Sequence, residues 1–264
     1  MPQFAANLTM LFNELPFLDR FAAAADAGFD AVEFMFPYDY EPAQITEKLQ
    51  ANGQRLVLHN LPAGDWAGGD RGIACQPGRV EEFRAGVERA IRYAKALNCP
   101  KLNCLAGIPA GDEAEARQVL VENLRYAGKM LGDAGLELLL EPVNTRDVPG
   151  FFVNKISQAL SILDDVGSST VRLQFDIYHT QVMEGDIANK MEANFGRIGH
   201  LQLADNPGRN EPGTGEINYE YLFRRIDELG YDGWIGCEYR PKSTTTAGLG
   251  WLTPYRRAAA LETN

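Results

Sequence analysis

The chain is short of histidine and cysteine, and no stretch of it carries charge of one sign. Of 264 residues, three are histidine and four are cysteine. The cysteines (Cys75, Cys99, Cys104 and Cys237) show neither C-x-x-C nor zinc-ribbon spacing, which excludes a zinc site built on them. Cys104 and Cys237 fall inside apolar, strand-like runs and read as buried free thiols. No apolar run reaches about 18 residues, so no helical membrane span is expected. No basic segment leads into an apolar one at the N-terminus, so no signal peptide is expected, and a cytoplasmic, reducing location fits. There is no lysine- or arginine-rich block: 25 basic residues against 36 acidic ones give a formal charge of −11. That balance speaks against a general nucleic-acid or anionic-membrane surface and leaves room for a locally basic pocket. Oligomeric state stays open, a homo-oligomer included.

What the chain does have is one shape, repeated. The run Leu-Leu-Leu-Glu-Pro at 138–142 is apolar, of strand length, and ends in a lone carboxylate, Glu141. Residues 171–175 end at Asp176, 198–203 carry Gln202 near their end, and 234–237 end at Glu238. Each run reads as a strand buried on both faces, which delivers one oxygen-bearing side chain at its C-terminal end.

The rest of the chain alternates in the same way. Strands are expected at 4–8, 29–35, 55–58, 101–105, 136–140, 171–175, 198–203 and 234–237. Helices are expected at 17–27, 42–52, 80–97, 113–134, 155–166, 186–195 and 219–229, with a last one over 251–261. Two long loops, 61–77 and 204–216, are rich in glycine, and loops of that length are often functional. No composition shift or linker divides the chain, so residues 1–264 read as one domain. Alternation with non-alternating apolar strands implies a parallel sheet covered by helices. Eight repeats in about 250 residues suggest closure into a single (β/α)8 TIM barrel, an α/β fold whose active sites lie at the C-terminal ends of its strands. The alternative is a doubly wound open sheet; no glycine-rich phosphate fingerprint follows the first strand, which speaks against it.

Carboxylates from Glu141, Asp176 and Glu238 and the amide carbonyl of Gln202 would converge at that mouth. Such an oxygen-rich set suits a hard divalent cation, Mg²⁺ or Mn²⁺, and zinc would be better served by histidine or cysteine in place of the amide. Any one acid at a strand end has a plain alternative as a solvated loop residue; four successive strand ends weaken that alternative. His179, three residues after Asp176, is placed to meet a substrate, and so is His59 at the end of the third strand. His200, two residues before Gln202, reads as structural. If the substrate is an acid, Arg209 is the natural carboxylate clamp, with Arg79, Arg240 and Lys242 as further candidates. Trp66 could close over a small substrate. Two glutamates flanking a cation suit enolisation: the cation offsets charge on two neighbouring oxygens while a glutamate takes a proton from carbon. Reprotonation at the adjacent carbon is an aldose–ketose isomerisation; reprotonation on the opposite face is an epimerisation.

At these residues the chain resembles the xylose isomerase-like barrel superfamily of sugar isomerases and epimerases and, within it, the hydroxypyruvate isomerase family. The matches include Phe-Ala-Ala-Asn-Leu at 4–8, Val-Glu-Phe-Met-Phe-Pro-Tyr-Asp-Tyr at 32–40 and His-Asn-Leu-Pro-Ala-Gly-Asp-Trp at 59–66. They continue with Gly-Ile-Ala-Cys-Gln-Pro-Gly-Arg at 72–79, Glu-Pro-Val-Asn at 141–144 and Gly-His-Leu-Gln-Leu-Ala-Asp-Asn-Pro at 199–207. Glu-Pro-Gly-Thr-Gly-Glu-Ile-Asn-Tyr at 211–219 and Gly-Trp-Ile-Gly-Cys-Glu-Tyr at 233–239 complete them.

The resemblance implies reversible conversion of a small 2-oxo acid, hydroxypyruvate, to 2-hydroxy-3-oxopropanoate by proton transfer through a metal-stabilised enediolate. It implies Glu141 and Glu238 as the acid/base pair, Asp176 and Gln202 completing the metal site, and His179 and Arg209 on the substrate. In related epimerases the position of Gln202 is usually histidine, and this departure leaves the metal and the strictness of its requirement open. Relatives that isomerise 2-oxo-tetronates give the alternative substrate. A metal-dependent DNA-repair endonuclease on the same barrel would need more histidine and a basic groove. A non-catalytic sugar-acid-binding barrel would tolerate loss of either glutamate, and both are present.

Overall fold

In the computed structural model, which describes residues 1–255, apolar strands of four to six residues are separated by amphipathic helices, in the order the sequence pattern implies. The first half runs β1 (Gln3–Asn7), α1 (Arg20–Asp26), β2 (Ala31–Phe34), α2 (Pro42–Ala51), β3 (Arg55–Asn60), α3 (Val80–Ala96), β4 (Lys101–Cys104) and α4 (Glu113–Asp133). The second runs β5 (Glu137–Leu140), α5 (Ile156–Val166), β6 (Val171–Asp176), α6 (Ile177–Met183), α7 (Ile187–Ala193), β7 (Ile198–Leu203), α8 (Tyr219–Glu228) and β8 (Trp234–Cys237). All neighbours pair in parallel, and β8 pairs with β1, so the sheet closes into an eight-stranded barrel.

Local chemistry explains the elements. The Asp112 side chain accepts from the backbone N–H groups of Ala114 and Glu115, both at 2.9 Å, and so starts α4. Gly167, in the left-handed region at φ 67°, ends α5. In α8, Tyr219, Leu222, Phe223 and Ile226 are buried, the three-and-four spacing of a helix with one face on the barrel. The main core lies between these helix faces and the outward-facing strand residues.

The barrel interior has two levels. Ala5, Ala31, Val57, Leu58 and Leu139 form a small separate apolar cluster. By the two-residue alternation of a strand, Asn7, Glu33 and Glu141 share the inward face with Ala5, Ala31 and Leu139, one layer nearer the C-terminal mouth. A polar layer therefore sits on an apolar plug. Strand register slips between Val32 and Glu33 and between Leu173 and Gln174, next to polar residues that point inward.

Three elements differ from expectation. The third strand continues through His59 to Asn60. A seven-residue helix, α6, follows β6 directly; Asp176 caps it by accepting from the His179 N–H at 3.0 Å. The sequence disguised that helix because its capping aspartate also reads as a site ligand. At the C-terminus, a 3-10 helix runs Thr246–Tyr255 in place of the start of the expected 251–261 helix, with Pro254 inside it; the remainder of that expectation lies outside the described residues. All four cysteines are buried and free. Among the described residues, no helix is long and apolar enough to cross a membrane.

Candidate active site

Glu141 stands immediately after β5 and is 4% exposed; the Asn103 amide on β4 donates to its Oε2 at 2.7 Å. Asp176, at the end of β6, is 1% exposed, and its Oδ2 has no hydrogen-bond partner. The His179 ring follows one turn into α6, its Nε2 3.8 Å from both Glu141 Oε1 and Asp176 Oδ2. One potential ligand atom from each of Glu141, Asp176 and His179 lies within 4.8 Å of the other two. A buried carboxylate oxygen without a donor, beside a second buried carboxylate, is an arrangement a divalent cation fits.

The His179 tautomer follows from its surroundings. The backbone N–H of Asn144 donates to Nδ1 at 3.3 Å, and the Asn144 amide lies 2.6 Å from the same atom. A backbone N–H can only donate, so Nδ1 accepts and the neutral ring carries its proton on Nε2. Burial, then the Arg209 charge, holds this histidine well below its usual pKa, so the ring is neutral. It presents an N–H donor to the mouth.

Glu238 follows β8 across the site. It accepts from the Gln202 amide at 2.6 Å and from Arg209 at 2.6 Å. The Gln202 amide nitrogen also donates to Glu33 at 2.8 Å, while its carbonyl oxygen accepts from Gln174 at 2.6 Å. Two carboxylates on one side require the nitrogen there. In this arrangement Gln202 therefore turns its amide nitrogen, not its carbonyl, toward Glu238.

Arg209 sits in the left-handed region at φ 54° and also reaches Asp147 at 3.3 Å. Its loop is wound around Asp205, whose carboxylate accepts from the backbone N–H groups of Asn206, Gly213, Thr214, Gly215 and Ile217. Gly215 is needed there, because a Cβ would lie 2.0 Å from the Asn206 carbonyl oxygen.

The electrostatics follow from burial. Burial, then Glu238 and Asp176, pushes Glu141 well above the carboxylate range. Burial raises Asp176 against the pull of Arg209. Burial also brings Glu238 up to about 8, again against Arg209. For Arg209, burial is outweighed by these carboxylates, and its pKa rises. At the cluster itself the buried Glu141 and Asp176 and the largely buried Glu238 share one arginine, Arg209.

A cavity of about 310 Å³ opens onto this cluster, lined among others by Glu141, His179, Arg209, Glu238, Trp66 and Arg71. His59 does not reach it. Asn60 lines the cavity, so its strand neighbour faces the other way: the His59 ring is fully buried and stacks on Phe34. Burial lowers it to about 4. Arg79 is held by Asp70 at 2.7 Å and Glu82 at 2.8 Å. His200 is structural, bonded to Glu33 at 2.7 Å. Sequence reasoning gave no role to Glu33, Asn103, Asn144, Asp147 or Arg71. An acid in the middle of the apolar run 29–35 was the available signal for Glu33; nothing comparable marks Asn144 or Arg71.

Fold and site together define a parallel α/β barrel with a carboxylate-rich cavity at the C-terminal ends of its strands. The family model described as xylose isomerase-like TIM barrel matches residues 21–255, and the chain belongs to that family. Hydroxypyruvate isomerase of Escherichia coli (strain K12) is 57% identical over 258 residues, covering 97% of this chain and 100% of that protein. 2-Oxo-tetronate isomerase of Cupriavidus necator is 50% identical over 257 residues, covering 97% and 99%. The crystal structure of AP endonuclease, family 2, from Brucella melitensis matches with a TM-score of 0.95 at 45% identity, covering 97% and 100%.

Proposed function

We propose that this chain is an isomerase of hydroxypyruvate, interconverting it with 2-hydroxy-3-oxopropanoate. The observation that carries the reading is the pair Glu141 and Glu238, two carboxyl groups of raised pKa on one small cavity. The relative of that name in Escherichia coli supports the substrate.

Glu141 and Asp176 would hold a divalent cation, Mg²⁺ or Mn²⁺, with Glu238 facing them across the cavity. Gln202, expected from the sequence to add a carbonyl, turns its amide nitrogen to Glu33 and Glu238 and gives its carbonyl to Gln174, so it offers a cation no ligand in this arrangement. When bound, the cation supplies positive charge opposite the oxygens on which negative charge develops. The remaining steps belong to the chain. One glutamate takes a proton from C3 of hydroxypyruvate, and a proton returns to C2 while the hydroxyl proton moves from O3 to O2. The His179 Nε2–H donates to a substrate oxygen. Arg209 holds Glu238 in place and offsets its charge at 2.6 Å. Trp66 lines the mouth and helps exclude water.

A second reading, isomerisation of the four-carbon 2-oxo-tetronates, is favoured by the Cupriavidus necator relative. Steady-state kcat/KM for both acids, with and without EDTA, separates the readings. A higher value for hydroxypyruvate supports the first and a higher value for 2-oxo-tetronate the second; turnover of neither acid with Mg²⁺ or Mn²⁺ added overturns both.

A further inference from the structure

A 2-oxo acid brings its carboxylate into a cavity that Glu141, Asp147 and Glu238 also line, so its binding needs a cation free to receive it. Arg209 is not free. Its Nη1 and Nη2 donate to Asp147 and Glu238, and its Nε is buried without a partner. An anion gripped there would face the enzyme's own carboxylates.

Arg71 is differently placed. It lines the same cavity and forms no ion pair among the described residues. Its Nη1 donates to the carbonyls of Asp70 at 2.7 Å and Trp66 at 3.1 Å, and its guanidinium lies 4.5 Å from the centre of the Trp66 ring. Among the described residues, neither Nε nor Nη2 has a hydrogen-bond partner. Those two N–H groups form the fork edge that meets a carboxylate bidentately.

The loop that presents Arg71 is fixed at both ends. Asp70 accepts from the Asp65 N–H at 2.6 Å and from Arg79 at 2.7 Å. Gly72, at φ 114°, packs so tightly that a Cβ would lie 2.4 Å from the Leu105 carbonyl oxygen. Arg79, a carboxylate-clamp candidate by sequence, is thus a brace for this loop. Arg240 also lines the cavity, but it is exposed and none of its side-chain nitrogens is held by a described residue.

We propose that Arg71, braced on Trp66, binds the carboxylate of the substrate, an assignment that rests on the acid-substrate reading above. The two planar groups arrive pre-oriented, so little rotamer freedom is lost on binding.

The test compares Arg71→Ala, Arg71→Lys and Arg240→Ala with the wild type on hydroxypyruvate and on 1,3-dihydroxyacetone, which has a hydroxymethyl group in place of the carboxylate. Calorimetric binding of D-glycerate, an unreactive carboxylate of the same length, is measured alongside. Arg71→Ala should raise KM for hydroxypyruvate on the order of ten- to a hundredfold with a much smaller change in kcat. It should weaken glycerate binding in parallel and collapse the preference for hydroxypyruvate over dihydroxyacetone. Arg71→Lys should recover part of each. Unchanged KM in Arg71→Ala, or the rise appearing in Arg240→Ala instead, overturns the assignment and leaves the isomerase reading standing. If the wild type turns over neither acid, the isomerase reading falls, and glycerate decides alone. Weaker binding in Arg71→Ala then upholds a carboxylate subsite, and equal or absent binding removes it.

Discussion

The Gln202 amide nitrogen lies between two carboxylates, 2.8 Å from Glu33 and 2.6 Å from Glu238. Glu33 has no exposure to solvent, and it is held by three donors: Asn7 at 2.9 Å, His200 at 2.7 Å and Gln202. Asn7 reaches Glu238 as well, at 3.3 Å. A buried acid in β2 therefore fixes the residues that orient a site glutamate after β8. Removing it as Glu33→Ala leaves buried donors unpaired and should cost about 3–5 kcal/mol. Chemical denaturation measures that loss; an unchanged midpoint would show that the network does not hold the barrel.

Gly236 gives the same network its room. A Cβ there would lie 2.3 Å from both carboxylate oxygens of Glu33. Gly236→Ala should destabilise by about 1–3 kcal/mol through overpacking and lower kcat by displacing the neighbouring Glu238. Thermal unfolding and steady-state kinetics on one preparation test both effects.

The raised carboxyl groups make stability depend on pH in a definite direction. Burial takes Glu238 from 4.5 up to about 8, and Glu141 and Asp176 also move up. A group whose folded pKa is raised contributes stability that is present in full below its unfolded value and lost as pH rises through the folded one. Metal-free protein should therefore lose Tm between about pH 4.5 and 8. Added Mg²⁺ or Mn²⁺ should restore it, more strongly at the upper end. A metal-free Tm that rises across that window, or no response to either cation, contradicts the charge balance described for the site.

Much of this architecture is legible in the amino-acid sequence. The strands β5 and β8 are short apolar runs, β6 and β7 are apolar runs interrupted by Arg172, Gln174, His200 and Gln202, and each stops near a polar residue, so their number and ends can be read directly. The direction of a side chain is harder to read. His59 and Asn60 are adjacent polar residues at one strand end, and only the barrel shows that Asn60 faces the cavity and His59 the helices. The helix α6 was hidden because seven residues with a capping aspartate do not outweigh a metal-ligand reading of the same aspartate. Arg71 was hidden because its partners are backbone carbonyls and one aromatic ring within its own loop, none of which leaves a spacing signature.

The two glutamates should be separable from the fold. Glu141→Gln and Glu238→Gln keep the size of the side chain and should retain the circular dichroism of the wild type, while kcat falls on the order of 10²–10⁴-fold. Near-normal turnover by either variant would remove that glutamate from the acid/base pair.

The most direct test of the account is proton NMR of hydroxypyruvate with the enzyme in D₂O, in the presence and absence of EDTA. The account predicts conversion with deuterium entering at carbon, abolished by EDTA and recovered with excess Mg²⁺ or Mn²⁺. Conversion in which the transferred proton never exchanges with solvent, or conversion indifferent to EDTA, would contradict it.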